Sequence, residues 1–138
     1  MSKRRDLLKM PVLLAPAAPL LAAKAPGLKN LTIDESKAKL TKEPFGHLRI
    51  YFDGSTDQLN AMTAGSLKLK AGMSPHPPHQ HPEEEFMVIT EGAGDLLVDG
   101  KTTKVGAGSM MYCAGNKLHG ITNTGKTPLT FYFYKWKA

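Results

Sequence analysis

Cysteine is almost missing from this chain: Cys113 stands alone among 138 residues. A single thiol excludes an intrachain disulfide, so no covalent framework holds the fold and no particular redox compartment is required. Aromatic residues are also scarce, at 7%. No apolar run is long enough to span a bilayer as a helix, and the best candidate, residues 10–23 (MPVLLAPAAPLLAA), is broken by Pro11, Pro16 and Pro19. Acidic residues number twelve against eighteen basic ones, a formal net charge of +6. Most of that excess is local: Lys3, Arg4, Arg5, Lys9 and Lys24 stand against only Asp6 in residues 1–25. The rest of the chain therefore lacks the concentrated basic face of a nucleic-acid binder, and no nucleic-acid partner is expected.

What the chain does contain is punctuation, with 13 glycines and 10 prolines. This length allows one domain with a real core, and that composition suits short strands joined by turns. Residues 2–9, SKRRDLLK, resemble the twin-arginine export signal, with Lys3 in place of the usual Ser or Thr and Leu7 in place of the usual Phe. The apolar stretch that follows suits a signal core, and Ala22, Ala23 and Ala25 are small enough for cleavage. Residues 1–25 are accordingly expected to be a signal peptide, which implies a periplasmic or otherwise exported protein without stable membrane association. Residues 26–44 read as a leader that drapes over the outside, and residues 45–138 as the folded domain.

Within the domain the periodicity is that of strands. His47 to Phe52 begins the series, the turn-rich DGSTD of residues 53–57 follows, and Leu59 to Lys70 reads as one or two strands. Leu67 and Leu69 alternate there against Ser66, Lys68 and Lys70, which predicts one wet face. In Phe86 to Thr90, Met87 and Ile89 are expected inward, Phe86 and Val88 outward. Asp95 to Val105 is a hairpin about Asp99-Gly100, a pair suited to a type I′ turn. Ser109 to Cys113 and Leu118 to Asn123 are read as the next pair, with His119, Ile121 and Asn123 on one face and Asn123 as a structural hydrogen-bonder. The last strand, Leu129 to Trp136, carries aromatics on both faces, and with Phe86 and Val88 this predicts a homodimer that covers the outer one.

One stretch concentrates chemistry. Residues 72–92, GMSPHPPHQHPEEEFMVITEG, hold three of the five histidines and a run of three glutamates. If the segment is extended, His79, His81 and Glu85 share a parity and project from one face, with Pro82 able to bend it. Imidazole nitrogens and a carboxylate oxygen suit a divalent transition metal. A fourth ligand should lie elsewhere, and the candidate is His119 in GSMMYCAGNKLHGITN, residues 108–123. Glu83 shares the parity of Glu85 and is a candidate pocket or supporting group, whereas Glu84 points the other way and is expected in solvent.

These two segments resemble the paired motifs of the cupins, G-x(5,6)-H-x-H-x(3,4)-E-x(6)-G and G-x(5)-P-x-G-x(2)-H-x(3)-N. Gly72, His79, His81, Glu85 and Gly92 fall on the first, and Gly108, His119 and Asn123 on the second. Ala114 replaces the usual Pro and Asn116 the usual Gly, departures that touch the turn before His119 but no ligand. The resemblance spans roughly residues 45 to 136. It implies an all-β, double-sheet jelly-roll barrel whose metal ligands are His79, His81, Glu85 and His119, for Fe, Mn, Ni, Cu or Zn.

Around that centre, His76 is a candidate acid or base on a rim loop, alongside Glu83. Cys113 either faces the pocket or packs as a small apolar group, and Met73, Met87, Met110 and Met111 are candidate pocket wall. Two functions remain open. One is a metal-dependent enzyme acting on a small molecule by dioxygenase, isomerase or lyase chemistry; the other is a non-catalytic metal-binding or sensing module. A pocket beside an open metal position favours the first, and a filled interior the second.

Overall fold

Among the described residues nine strands form: β1 (Lys39–Glu43), β2 (Gly46–Gly54), β3 (Ala61–Leu69), β4 (Glu84–Glu91), β5 (Ala93–Val98), β6 (Lys101–Gly106), β7 (Met110–Cys113), β8 (His119–Thr122) and β9 (Leu129–Lys137). The computed structural model describes residues 27–138, and the expected signal peptide lies outside them. One 3-10 turn, Glu35–Lys37, is capped by Asp34, whose Oδ1 accepts from the Ser36 amide at 2.9 Å. The strands make a six-stranded sheet ordered β1-β2-β3-β9-β4-β7 and a three-stranded sheet ordered β6-β5-β8. Every pairing between these strands is antiparallel, and the all-β double-sheet architecture is the one expected.

The inward faces of both sheets supply one core. Leu67 and Leu69 from β3, Met87 and Ile89 from β4, and Phe131 and Phe133 from β9 meet Leu96 of β5 and Ile121 of β8. Met87 and Ile89 are buried while Phe86 is 39% exposed, so the alternation read from β4 holds. The hairpin also forms as read, with Asp99 at φ 46° and Gly100 at φ 84° between β5 and β6.

Three readings change. Residues 109–113 and 118–123 do not pair with each other: β7 adds to β4 and β8 to β5, in different sheets. The turn between them carries the chain across the sandwich, with Asn116 at φ 61°. Residues 39–43, inside the stretch read as leader, form the edge strand β1 against β2. The outer face of β3 is not uniformly wet, because Ser66 is 5% exposed. Its cross-strand neighbour Arg49 pairs with Glu35 at 3.4 Å, so the segment before β1 covers this patch.

Gly65 shows how closely β2, β3 and β9 approach. A Cβ there would lie 2.5 Å from the Arg49 carbonyl oxygen and 2.6 Å from Cζ of Phe133. Gly65→Ala must therefore push backbone or a core ring aside, at a cost of roughly 1–3 kcal/mol. A thermal melt should show the lowered midpoint, and an unchanged one would contradict this packing.

Candidate metal centre

Prolines decide the local structure of the histidine-rich segment. Pro77, Pro78 and Pro82 cannot donate to a ladder, so residues 77–83 run as loop and β4 begins only at Glu84. His79 and His81 consequently share no strand with Glu85, contrary to the parity reading. Pairing with β8 aims them instead. The amides and carbonyls of His79 and His119 exchange two hydrogen bonds, each 2.9 Å. Asn123 N donates to Met73 O at 2.9 Å and Asn116 N to His81 O at 2.7 Å, so both ends of the segment are fastened. Asn123 is fully buried and its side chain bonds Leu69 O, Thr127 O and Gly125 N, the structural role expected of it.

The donor atoms converge. His79, His81 and His119 each offer a ring nitrogen, and these lie within 4.8 Å of one another. Oε2 of Glu85 is 3.0 Å from Nε2 of His81 and 3.1 Å from Nε2 of His119. Behind the site, Nδ1 of His119 lies 2.9 Å from Lys117 O and Nδ1 of His81 lies 3.1 Å from Glu83 O. A carbonyl oxygen only accepts, so each Nδ1 carries a proton and each ring turns its Nε2 toward Glu85. Two imidazole Nε2 atoms and a carboxylate oxygen then meet at one point, an arrangement suited to a cation. A divalent metal fits it: ligand bonds of about 2.1 Å at right angles would separate neighbouring donors by about 3 Å.

Without a metal, protons take its place. Burial works against the Glu85 carboxylate, but hydrogen bonds and charge from His119 and His81 prevail and hold it below the ordinary carboxylate range. His119 moves up, mainly through its bond to Glu85 and against the effect of its burial. His79 is pushed down to about 4 by burial and by the neighbouring imidazoles, His76 first, so it is neutral and ready to ligate near neutral pH.

The remaining candidates sort by position. His76 is exposed, stacks on His79 with ring centroids 3.8 Å apart, and lines the cavity beside the cluster. Glu83 sits behind His81, with Oε2 3.2 Å from its Nδ1, and does not line the cavity. Glu84 is not simply solvated: it accepts from Tyr112 Oη at 2.6 Å and Trp136 Nε1 at 3.1 Å on the outer face. Those partners lie 28 and 52 residues away in sequence, beyond the reach of a local charge pattern. Cys113 packs in the core at 1% exposure, its thiol pushed up by burial, and does not line the cavity. Of the four methionines, Met87 alone does. Lys135 and Thr63 also line it and were not singled out from sequence, although Lys135 has the parity of Phe131 and Phe133.

This cavity has a volume of about 290 Å³ and opens against His79, His81, Glu85 and His119. Its histidine cluster occupies the positions that the paired motifs mark. The family model for the cupin domain matches residues 65–134, half of the chain. The protein belongs to the cupin family. Solved cupin structures share its fold at low identity. An RmlC-like cupin from Shewanella frigidimarina superposes at TM-score 0.66 with 15% identity, over 80% of this chain and 93% of that one. A predicted oxalate decarboxylase from Thermotoga maritima gives 0.64 and 21%, over 78% and 100%. KdgF from Halomonas sp. gives 0.62 and 14%, over 80% and 96%. Comparison with curated protein sequences yields no match.

Proposed function

We propose that this cupin is an exported, metal-dependent enzyme acting on a small molecule, with His79, His81, Glu85 and His119 holding one divalent transition metal. The supporting observation is the open cavity of about 290 Å³ that those four side chains line. A purely structural or sequestered metal has no need of such a space beside it. A bound metal would supply Lewis-acid polarisation of a ligand oxygen, as dioxygenase, isomerase or lyase chemistry uses. The chain's own residues supply the rest. Lys117 O and Glu83 hold the His119 and His81 rings with Nε2 inward, and Glu85 contributes the negative charge that favours a divalent ion. His76, whose Nδ1 donates to Pro77 O at 2.8 Å, keeps Nε2 free to take a proton at the cavity mouth.

His119→Ala is expected to lower metal content from about one per chain to a small fraction while circular dichroism stays that of a β protein. Glu84→Ala, on the outer face, should retain full metal. Elemental analysis of both variants decides the ligand set: the reverse pattern would overturn it. An activity screen on the metal-restored wild type then separates the two functional classes, since ligand binding without turnover would favour the sensing module.

The proposal includes a dimer. Phe86, Tyr112 and Tyr134 are 39%, 50% and 40% exposed on the outer face, and the Phe86 ring lies 5.4 Å from those of Tyr112 and Trp136. An aromatic patch of this kind suits a partner, and a stable interface would bury on the order of 1,200 Å² in total. Light scattering at tens of micromolar should give twice the monomer mass; a monomer there would count against it.

Export rests on Arg4 and Arg5. Replacing both with Lys is expected to leave the precursor in the cytoplasm, which cell fractionation would reveal, and normal export of that variant would end the twin-arginine reading.

A further inference from the structure

Strand β9 sends Phe131, Phe133 and Lys135 to the same side, toward the cavity. The two phenylalanines are buried at 2% and 7%, whereas Lys135 sits further along, half-buried, where the cavity nears the histidine cluster. Register fixes its neighbours: Lys135 stands directly opposite Glu85 on β4 and Thr63 on β3. Despite the first of these, Lys135 makes no ion pair among the described residues, because Glu85 turns its Oε2 to His81 and His119. Thr63 donates its hydroxyl to Asp53 at 3.0 Å, which leaves that carboxylate engaged as well.

Lys135 is the one lysine or arginine among the residues lining the cavity, and most of the remaining wall is apolar, including Leu48, Ile50, Leu67, Met87, Ile121 and Phe133. An ammonium on an apolar wall, without a counter-ion, lacks part of the solvation it would have in water. With Glu85 committed to a metal, the lysine charge would have no partner except what enters the cavity.

We infer that the cavity selects a small carboxylate with an apolar body: the Lys135 ammonium receives the carboxylate beside the metal, and the body fills the space between Leu48, Leu67, Ile121 and Phe133. This deepens the functional proposal above and rests on the cavity being the ligand site, though not on which metal the cluster holds. Lys135 is then a specificity-determining residue. A charge-assisted bond at a partly dehydrated site is strong enough to separate an acid from its uncharged isostere.

Calorimetric titration with phenylacetate and its neutral isostere phenylacetamide tests this on the full-length protein, metal-free and metal-loaded. Wild type should bind phenylacetate at least tenfold more tightly than the amide in both forms. Lys135→Gln should abolish that preference, leave amide affinity within about twofold, and keep the wild-type metal content and melting temperature. Lys135→Arg should preserve it. Equal affinities in the wild type, no binding of phenylacetate, or a preference that survives in Lys135→Gln would each overturn the assignment. A preference seen only with metal and untouched by Lys135→Gln would mean that the metal reads the carboxylate. Absence of metal from wild type, with the lysine-dependent preference intact, would instead overturn the metal proposal alone.

Discussion

The reciprocal pair of backbone hydrogen bonds between His79 and His119 is the constraint on which the rest of the site depends. It joins a loop to β8 in the smaller sheet and sets the Cα positions of two candidate donors before any side chain is considered. Glu85 approaches from β4 in the larger sheet, so the donor cluster spans the sandwich from one layer to the other. Metal affinity in such a site is inseparable from sheet packing: separating the layers would disperse the donors, and a metal bound between them would resist that separation.

Hydrogen bonding behind the cluster matters as much as the donors in it. Because the Nδ1 atoms of His119 and His81 lie against backbone carbonyls, main chain helps to set tautomer and ring orientation, joined at His81 by the Glu83 carboxylate. Asn116 contributes indirectly. At φ 61° it takes the left-handed conformation that the family usually assigns to glycine, and Asn is among the residues that tolerate it best. The turn therefore keeps a conformation open to glycine, and its amide still holds the carbonyl of His81.

Legibility in the sequence followed the range of the interaction. Asp99-Gly100 announced its hairpin because a type I′ turn is specified by the two residues that form it. The inward set of β4 was legible from strict alternation, and the three histidines were legible because a spaced motif survives loop or strand alike. The parity reasoning that linked His79 and His81 to Glu85 named side chains that do converge, although the prolines prevent the strand it assumed. What was missed depended on distant partners. Glu84 reads as a solvated charge until Tyr112 and Trp136 arrive from β7 and β9, and the weak pattern of Lys39–Glu43 becomes a strand only when β2 offers an edge. Lys135 had the parity of the core phenylalanines, but a lysine near a chain terminus resembles many solvated ones.

The two ends of the larger sheet are unlike. On one side β1 presents Lys39 and Lys42 on a strand that is exposed for most of its length, and on the other β7 is only four residues long. A charged rim and a stub make poor templates for one another, so copies of this chain have no ready way to extend end to end through shared strands. The folded chain can thus remain a discrete particle at high concentration, without growing into fibres.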